Sequence, residues 1–331
     1  MTTSTRKKTV TLLSAITDAL SIMLKEDERV LLLGEDIGKN GGVFRATEGL
    51  QAAFGEDRVI DTPLSEAGFV GAAIGMAANG LVPVIEIQFL GFIYPAYEQL
   101  MTHAVRLRSR TMGHYSAPIV IRAPYGAGVR APEIHCDSTE AIFTHMPGMK
   151  VVCPSNPYDA KGLMIAAIED PDPVLFLEPM RSYRAVKEDV PEEKYTVEIG
   201  KGALLEQGED VTIITWGAMV PVVRSTVKQL AEDGVTCDVI DLRTLSPIDE
   251  DIIAFSVQKT GRTVIVQEAH PSSSVANDIL SIINETSFLY QKAPVEKVSG
   301  FDTPVPYFSF EDFYLPTPER VREAVLKVMS F

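Results

Sequence analysis

Four apolar, strand-like runs in the first half of this chain each end on polar groups that could hold a ligand or act on it. Glu35 and Asp36 close Val30–Gly34, Glu66 follows Arg58–Ile60, and Gln88 follows Val82–Ile87 with the aromatics Phe89, Phe92 and Tyr94 beside it. The fourth run, Pro118–Arg122, leads into a glycine-containing loop that reaches His135. Open α/β sheets bind ligands beyond the carboxyl ends of their strands, so four such junctions in succession describe one rim of a parallel sheet.

Glu66 is the sharpest member of that set. It stands in Asp61-Thr62-Pro63-Leu64-Ser65-Glu66-Ala67-Gly68, ahead of the small-residue stretch Gly71-Ala72-Ala73-Ile74-Gly75-Met76-Ala77-Ala78. Pro63 disfavours helix at Thr62 and Ser65 is a good N-cap, which puts Glu66 in the first helical turn. Two readings are open: a carboxylate that only answers the helix dipole, or a lone acid at the ligand-binding edge. His135, in Ala131-Pro132-Glu133-Ile134-His135-Cys136-Asp137, lies in a loop without apolar periodicity. It reads as functional, with a structural loop hydrogen bond as the alternative. His145 precedes a strand and reads as structural, His103 and His114 carry no signal, and His270 reads as the neighbour of a helix N-cap.

Several common chemistries lack their motifs. There is no Gly-x-x-x-x-Gly-Lys-Ser/Thr phosphate loop, no Gly-x-Gly-x-x-Gly after the first strand and no Gly-x-Ser-x-Gly elbow. Gly126-Ala127-Gly128 follows a strand but has neither a third glycine nor a helix start. No histidine has helical zinc spacing to another.

The elements that must position the rim alternate through the chain. Apolar runs spaced by helix-period stretches indicate a parallel sheet covered on both faces. Helices are expected near Ala46–Phe54, from Glu66 through Ala78, near Tyr94–Arg110 and through Asp159–Glu169, with further strands at Lys150–Pro154 and Val174–Leu177. The polar stretch Lys187–Lys194 reads as a linker within about 180–200, after which the alternation restarts at Val211–Trp216. A helix to Glu232, a strand at Val235–Leu242, a helix near Asp249–Gln258 and a strand at Thr263–Val266 follow, and a closing helix ends at Phe331. The expected fold is α/β, with two parallel-sheet domains over residues 1–190 and 200–331.

At 331 residues the chain suits two domains and can bury a substantial core. Its net charge of −15 argues against nucleic acid and anionic membrane as partners and suits a partner with a basic patch. Three dispersed cysteines, Cys136, Cys153 and Cys237, suggest a reducing compartment. The basic, hydroxyl-rich start Met1–Lys8 leads into an amphipathic helix rather than a signal core, and no run approaches the ~18 apolar residues of a membrane span. A cytoplasmic location is expected.

Four blocks carry a family resemblance: Gly34-Glu35-Asp36, Asp61-Thr62-Pro63-Leu64-Ser65-Glu66, Pro154-Ser155-Asn156-Pro157-Tyr158-Asp159-Ala160-Lys161-Gly162 and Asp241-Leu242-Arg243-Thr244-Leu245-Ser246-Pro247. In order and spacing they resemble the beta chain of the thiamine-diphosphate-dependent 2-oxo acid dehydrogenases, from about residue 9 to the C-terminus. The resemblance implies a transketolase-like pyrimidine-binding domain followed by a transketolase C-terminal-like domain. It also implies thiamine-dependent oxidative decarboxylation of a 2-oxo acid, with reductive acylation of lipoyl groups on an acyltransferase core.

Carried over by motif, Glu66 would be the acid at the cofactor's aminopyrimidine ring nitrogen. An acid there sets the tautomer of that ring, which readies the cofactor's thiazolium carbon to attack the substrate. Glu35 and Gln88 would join it in binding the cofactor, Phe92 would stack on the pyrimidine, and His135 would orient substrate or assist transfer to the lipoyl group. Main-chain carbonyls at Ile119, Ala167, Ile168, Asp170 and Asp172 match a K⁺ site that ties a loop to the sheet. The family's Gly-Asp-Gly, which holds Mg²⁺ and the diphosphate, does not occur in this chain. The resemblance therefore implies half a site, completed by an alpha chain in an α₂β₂ heterotetramer.

The loop Gly126–His135 reads like the bacterial pyruvate type, while Phe176-Leu177-Glu178-Pro179 with Arg181-Ser182-Tyr183-Arg184 also occurs in branched-chain relatives. Pyruvate is the expected substrate, with a branched-chain 2-oxo acid as the alternative. The acidic C-terminal domain ending in Phe331 suits docking on the subunit-binding domain of a dihydrolipoyl acyltransferase core. A different class is kept open: a non-catalytic interaction subunit in which Glu66 only caps its helix. A free-standing transketolase-like enzyme is disfavoured by length and by the missing metal motif.

Overall fold

Strands apolar at every position need cover on both faces, and that is where the chain places them. The computed structural model describes residues 6–331; Met1–Thr5 of the basic N-terminal stretch lie outside the described residues. The first half runs β1 (Lys7–Thr11), α1 (Leu12–Glu26), β2 (Val30–Gly34), α2 (Leu50–Phe54), β3 (Val59–Asp61), α3 (Glu66–Ala78), β4 (Val82–Glu86), α4 (Leu107–Arg110), β5 (Val120–Tyr125), α5 (Glu140–Thr144), β6 (Lys150–Val152), α6 (Pro157–Glu169), β7 (Val174–Pro179) and β8 (Lys187–Pro191). The second half runs β9 (Ala203–Glu206), β10 (Val211–Thr215), α7 (Met219–Glu232), β11 (Cys237–Asp241), β12 (Thr244–Ser246), α8 (Glu250–Thr260), β13 (Thr263–Val266), α9 (Val275–Ser287), β14 (Glu296–Val298), α10 (Glu311–Tyr314) and α11 (Pro318–Met329).

The larger sheet has the order β12-β6-β7-β5-β4-β2-β3 and the smaller one β14-β13-β10-β11-β9. Both are parallel except at one edge, where β12 runs antiparallel to β6 and β9 antiparallel to β11. One face of the larger sheet packs on α1 and α6 around Leu20, Leu24, Leu163 and Phe176. Its other face shares one apolar core with the second sheet, running from Val70 and Ile85 through Phe143 and Trp216 to Ile240 and Ile265. The two halves are thus joined by burial rather than by a tether alone. Local sequence sets the start of α6: Asn156 caps it by accepting from the Asp159 amide at 2.8 Å, and Pro157 takes the first helical position.

Four elements differ from the sequence reading. The polar stretch read as linker contains β8, which pairs antiparallel with β1 from Lys7↔Pro191 to Thr11↔Lys187. This ribbon is mostly exposed, so it carries no apolar signal. The helix expected near Ala46–Phe54 begins only at Leu50, because Gly49 takes a left-handed φ of 80°. The single helix expected near Tyr94–Arg110 is broken into a 3₁₀ stretch at Leu90–Ala96 containing Pro95, a π-helical turn at Gln99–Ala104, and α4. The helix after His270 is capped at Ser274, four residues on.

Candidate active site

The carboxyl ends of β2, β3, β4 and β5 lie side by side, because β3-β2-β4-β5 are consecutive neighbours in register. Gly34 opposes Asp61 on one side and Glu86 on the other, so the residues just past these strands face a common rim. Glu66 is the first residue of α3 and is half-buried. Ser65 precedes it but makes no side-chain capping bond, so the cap expected there is positional only. Leu64, two residues before Glu66, is 79% exposed, and the rim is open to solvent on that side.

Glu35 is buried, and its Oε1 has no hydrogen-bond partner among the described residues. Burial first, then the nearby Glu66 and Asp36 charges, raise its carboxyl above the usual range. Glu35 and Glu66 are therefore close enough to sense each other, and a buried acceptor without a donor carries a cost that a ligand could relieve. Gln88 is half-buried, and its amide makes no hydrogen bond among the described residues. Next to it stands an aromatic wall. The Phe89 ring lies 5.4 Å from both Phe44 and Phe92, and the His135 ring packs 4.5 Å from Phe89 and 4.8 Å from Phe92. His135 Nδ1 meets the Glu133 carbonyl at 2.9 Å, which leaves Nε2 for other partners.

The sequence reading placed Glu35, Glu66, Gln88, Phe92 and His135 on one rim; the fold sets Glu35 near Glu66 and packs His135 on Phe89 and Phe92, with Gln88 next to Phe89 in the chain. That reading missed what lies beneath. Arg122 on β5 donates to Glu178 on β7 at 2.6 and 3.0 Å and to Glu86 on β4 at 2.7 Å, and Tyr183 donates to Glu178. All three charges are essentially inaccessible, at 1%, 0% and 5% exposure. Burial opposes the Arg122 cation, but Glu178 and Glu86 outweigh it and its net shift is upward; burial raises Glu86. A charged residue within or just past each of three apolar runs was the available signal. Arg122 and Glu86 are direct neighbours in the β4–β5 register, so the triad fixes the strand ends that carry the rim.

His270 lines a cavity with Glu133 and Ile134 of the His135 loop. His145 is exposed at the end of α5, and His103 pairs with Glu98 at 3.7 Å. Among the carbonyls matched to a K⁺ site, those of Ala167 and Ile168 are in the last turn of α6, where carbonyls lack intrahelical partners. Ile119 accepts from Val174 and Ala167 accepts from Asp170. The carbonyls of Ile168, Asp170 and Asp172 take no hydrogen bond among the described residues. The Asp170 carboxylate is already met by Lys150 at 2.7 Å.

The profile of the family described as transketolase, pyrimidine binding domain matches residues 8–186, and that of transketolase, C-terminal domain matches residues 200–321. The chain is 49% identical over 322 residues to the pyruvate dehydrogenase E1 component subunit beta of Bacillus subtilis (strain 168), covering 97% of this chain and 99% of that protein. It is 48% identical to the same subunit of Acholeplasma laidlawii, over 96% and 98% of the two chains. A solved structure described as a split gene transketolase, inactive beta4 tetramer, superposes with a TM-score of 0.79 at 22% identity. It covers 97% of this chain and 98% of that one, and shares the fold.

Proposed function

This chain belongs to the family of pyruvate dehydrogenase E1 component beta subunits, and from that premise we propose what its rim does. The chain acts with an alpha chain to decarboxylate pyruvate and to pass the acyl group to lipoyl groups of an acyltransferase core. The observation that carries this reading is the rim itself: Glu66 beside a buried Glu35 whose Oε1 lacks a partner among the described residues, with aromatic rings alongside.

Those residues fit the aminopyrimidine of thiamine diphosphate. A carboxyl group suits a ring nitrogen, the free Glu35 oxygen and the Gln88 amide suit an exocyclic amino group, and Phe92 suits the ring face. Bound there, the cofactor would supply the electron sink that loss of CO₂ from a 2-oxo acid requires. Glu66 then has one task, to hold a proton at the ring nitrogen, and its place on an open rim lets it do so without touching substrate. His135, held against Phe89 and Phe92, keeps Nε2 available to orient substrate or the lipoyl acceptor.

The diphosphate and its Mg²⁺ are assigned to the alpha chain of an α₂β₂ tetramer. No group of three His, Cys, Asp or Glu side chains suited to a metal occurs among the described residues. Exposed Leu64 and Val43 flank the rim, and Gly68, Ala72 and Gly75 leave one side of α3 open to close approach by another subunit. The free carbonyls at the end of α6 suit K⁺, held by main chain alone since Lys150 neutralises Asp170. The net charge of −15 and the exposed terminal Phe331 suit docking on a basic subunit-binding domain. No helix among the described residues is long and apolar enough to cross a membrane. With all three cysteines free and buried, a cytoplasmic location completes the proposal.

The test is co-expression with the alpha chain and assay on pyruvate, 2-oxobutyrate and 4-methyl-2-oxopentanoate. Pyruvate is expected to lead 4-methyl-2-oxopentanoate by at least ~10-fold in kcat/KM, the scale on which pockets resolve added methylenes. The reverse order overturns the pyruvate assignment.

A further inference from the structure

The segment that carries His135, between β5 and α5, has no regular structure of its own and holds four residues in the left-handed region. These are Gly126 (φ 89°), Gly128 (98°), Arg130 (56°) and Ile134 (61°). A β-branched residue there is strained and persists only where its surroundings impose it. On the rim side the cause is visible: Gly91 lets the Ile134 carbonyl approach so closely that any Cβ at position 91 would collide with it.

On the other side the loop is gripped by the C-terminal domain. Glu311 takes the Gly128 amide on Oε1 and the Arg130 amide on Oε2, the latter at 2.8 Å. Glu268 takes the Ala127 amide and, at 3.4 Å, the Ser138 hydroxyl on Oε1. Both acids are buried, at 1% and 4% exposure. Peripheral contacts follow the same line: Arg130 pairs with Asp312 at 2.9 Å, Tyr307 donates to Glu133 at 3.0 Å, and Cys136 packs with Tyr314 and Leu315.

We propose that Glu311 and Glu268 are positioning residues for the reaction, holding the backbone of the His135 loop against the aromatic wall from the opposite domain. The inference rests on the reading of His135 as an active-site residue. Three amides bound within four residues leave that end of the loop little freedom, and where the acceptor is an ionised carboxylate the bond is of the stronger, charge-assisted kind. A displacement of about 1 Å at a reacting group can lower the rate ~100-fold.

The two acids differ in what can replace them. Glu311 uses both oxygens as acceptors, and an amide offers only one. Glu268 uses one oxygen, its Oε2 is buried without a partner among the described residues, and burial above all pushes its carboxyl up to about 7. The Ala127 amide and the Arg181 and Ser138 side chains lower it, and Glu140 raises it. Glutamine reproduces the protonated form of Glu268 and fails to reproduce Glu311.

The test uses the chain assembled with its alpha partner, with kcat and KM measured on pyruvate. Glu311→Gln is expected to lower kcat ~10-fold with little change in KM; Glu268→Ala should do the same and Glu268→Gln should restore most of the loss. In a His135→Ala background, Glu311→Gln should cost less than ~2-fold more, since its effect passes through that side chain. Equal losses in both backgrounds overturn the positioning role. Full activity of His135→Ala overturns the reading of His135 itself, whatever Glu311 does. Should Glu311→Gln fail to assemble, Tyr307→Phe removes the outer Glu133 contact from an exposed position. It is expected to show the same coupling to His135 at ~3-fold, and additivity there overturns the proposal.

Discussion

Replacing Glu66 by glutamine should lower kcat of the assembled enzyme by about 10²- to 10⁴-fold, the range that a positioned acid contributes. The chain itself should fold as before. Glu66 is half-buried at the first turn of α3, where the Ser65 side chain makes no capping bond, and it contributes to stability through the helix dipole at ~0.3–1 kcal/mol. The substitution keeps the shape, keeps a donor and an acceptor, and removes only the acid. The two readings of this residue therefore separate cleanly. A cap or interaction residue loses at most a little stability and no turnover, whereas an acid that holds a proton on the cofactor's ring loses turnover and no stability. The neighbouring Glu35 sharpens the contrast, since its carboxyl is raised by burial and by the Glu66 charge. Activity of Glu66→Gln within ~2-fold of the parent, with normal cofactor binding, would withdraw the catalytic role.

Arg122→Met carries the largest expected effect on stability. The guanidinium sits between Glu86 and Glu178 at 2.6–3.0 Å, with all three groups out of contact with water. Removing one partner from a buried ionic group costs about 3–5 kcal/mol, because the remaining charges stay buried and unpaired. Here two carboxylates are stranded, and burial already raises Glu86 with Arg122 present. The variant chain should unfold at lower urea concentration and lower temperature, and the rim at the ends of β4, β5 and β7 should loosen with it. A loss below ~1 kcal/mol would mean that the triad does not anchor the strand ends.

What the sequence disclosed follows from how each element is buried. Strands β2, β4, β5, β7, β10, β11 and β13 are covered on both faces and so read as apolar runs; their order along the chain was enough to predict a rim carrying Glu35, Glu66, Gln88, Phe92 and His135. The β1–β8 ribbon was hidden because Lys7-Lys8-Thr9 and Lys187-Glu188-Asp189 face solvent and have no periodic apolar pattern. The edge strand β12 was hidden for another reason. It belongs to the second half of the chain but hydrogen-bonds to β6 in the first, a pairing that no local pattern reports. Glu268 and Glu311 were beyond reach on the same ground. They meet the loop of His135 across 141 and 183 residues of sequence, and nothing near either acid marks it as a backbone acceptor. The triad was half legible, since each member stands within or just past an apolar run, but the register that joins Arg122 to Glu86 comes only with the sheet.

The most direct test of the half-site is turnover by the purified chain with and without its alpha partner. CO₂ release from pyruvate is followed in the presence of thiamine diphosphate and Mg²⁺. No release above background is expected for the chain alone, and sustained release once the alpha chain is added, as the proposed division of the cofactor between the two chains requires. Clear decarboxylation by the single chain would contradict it.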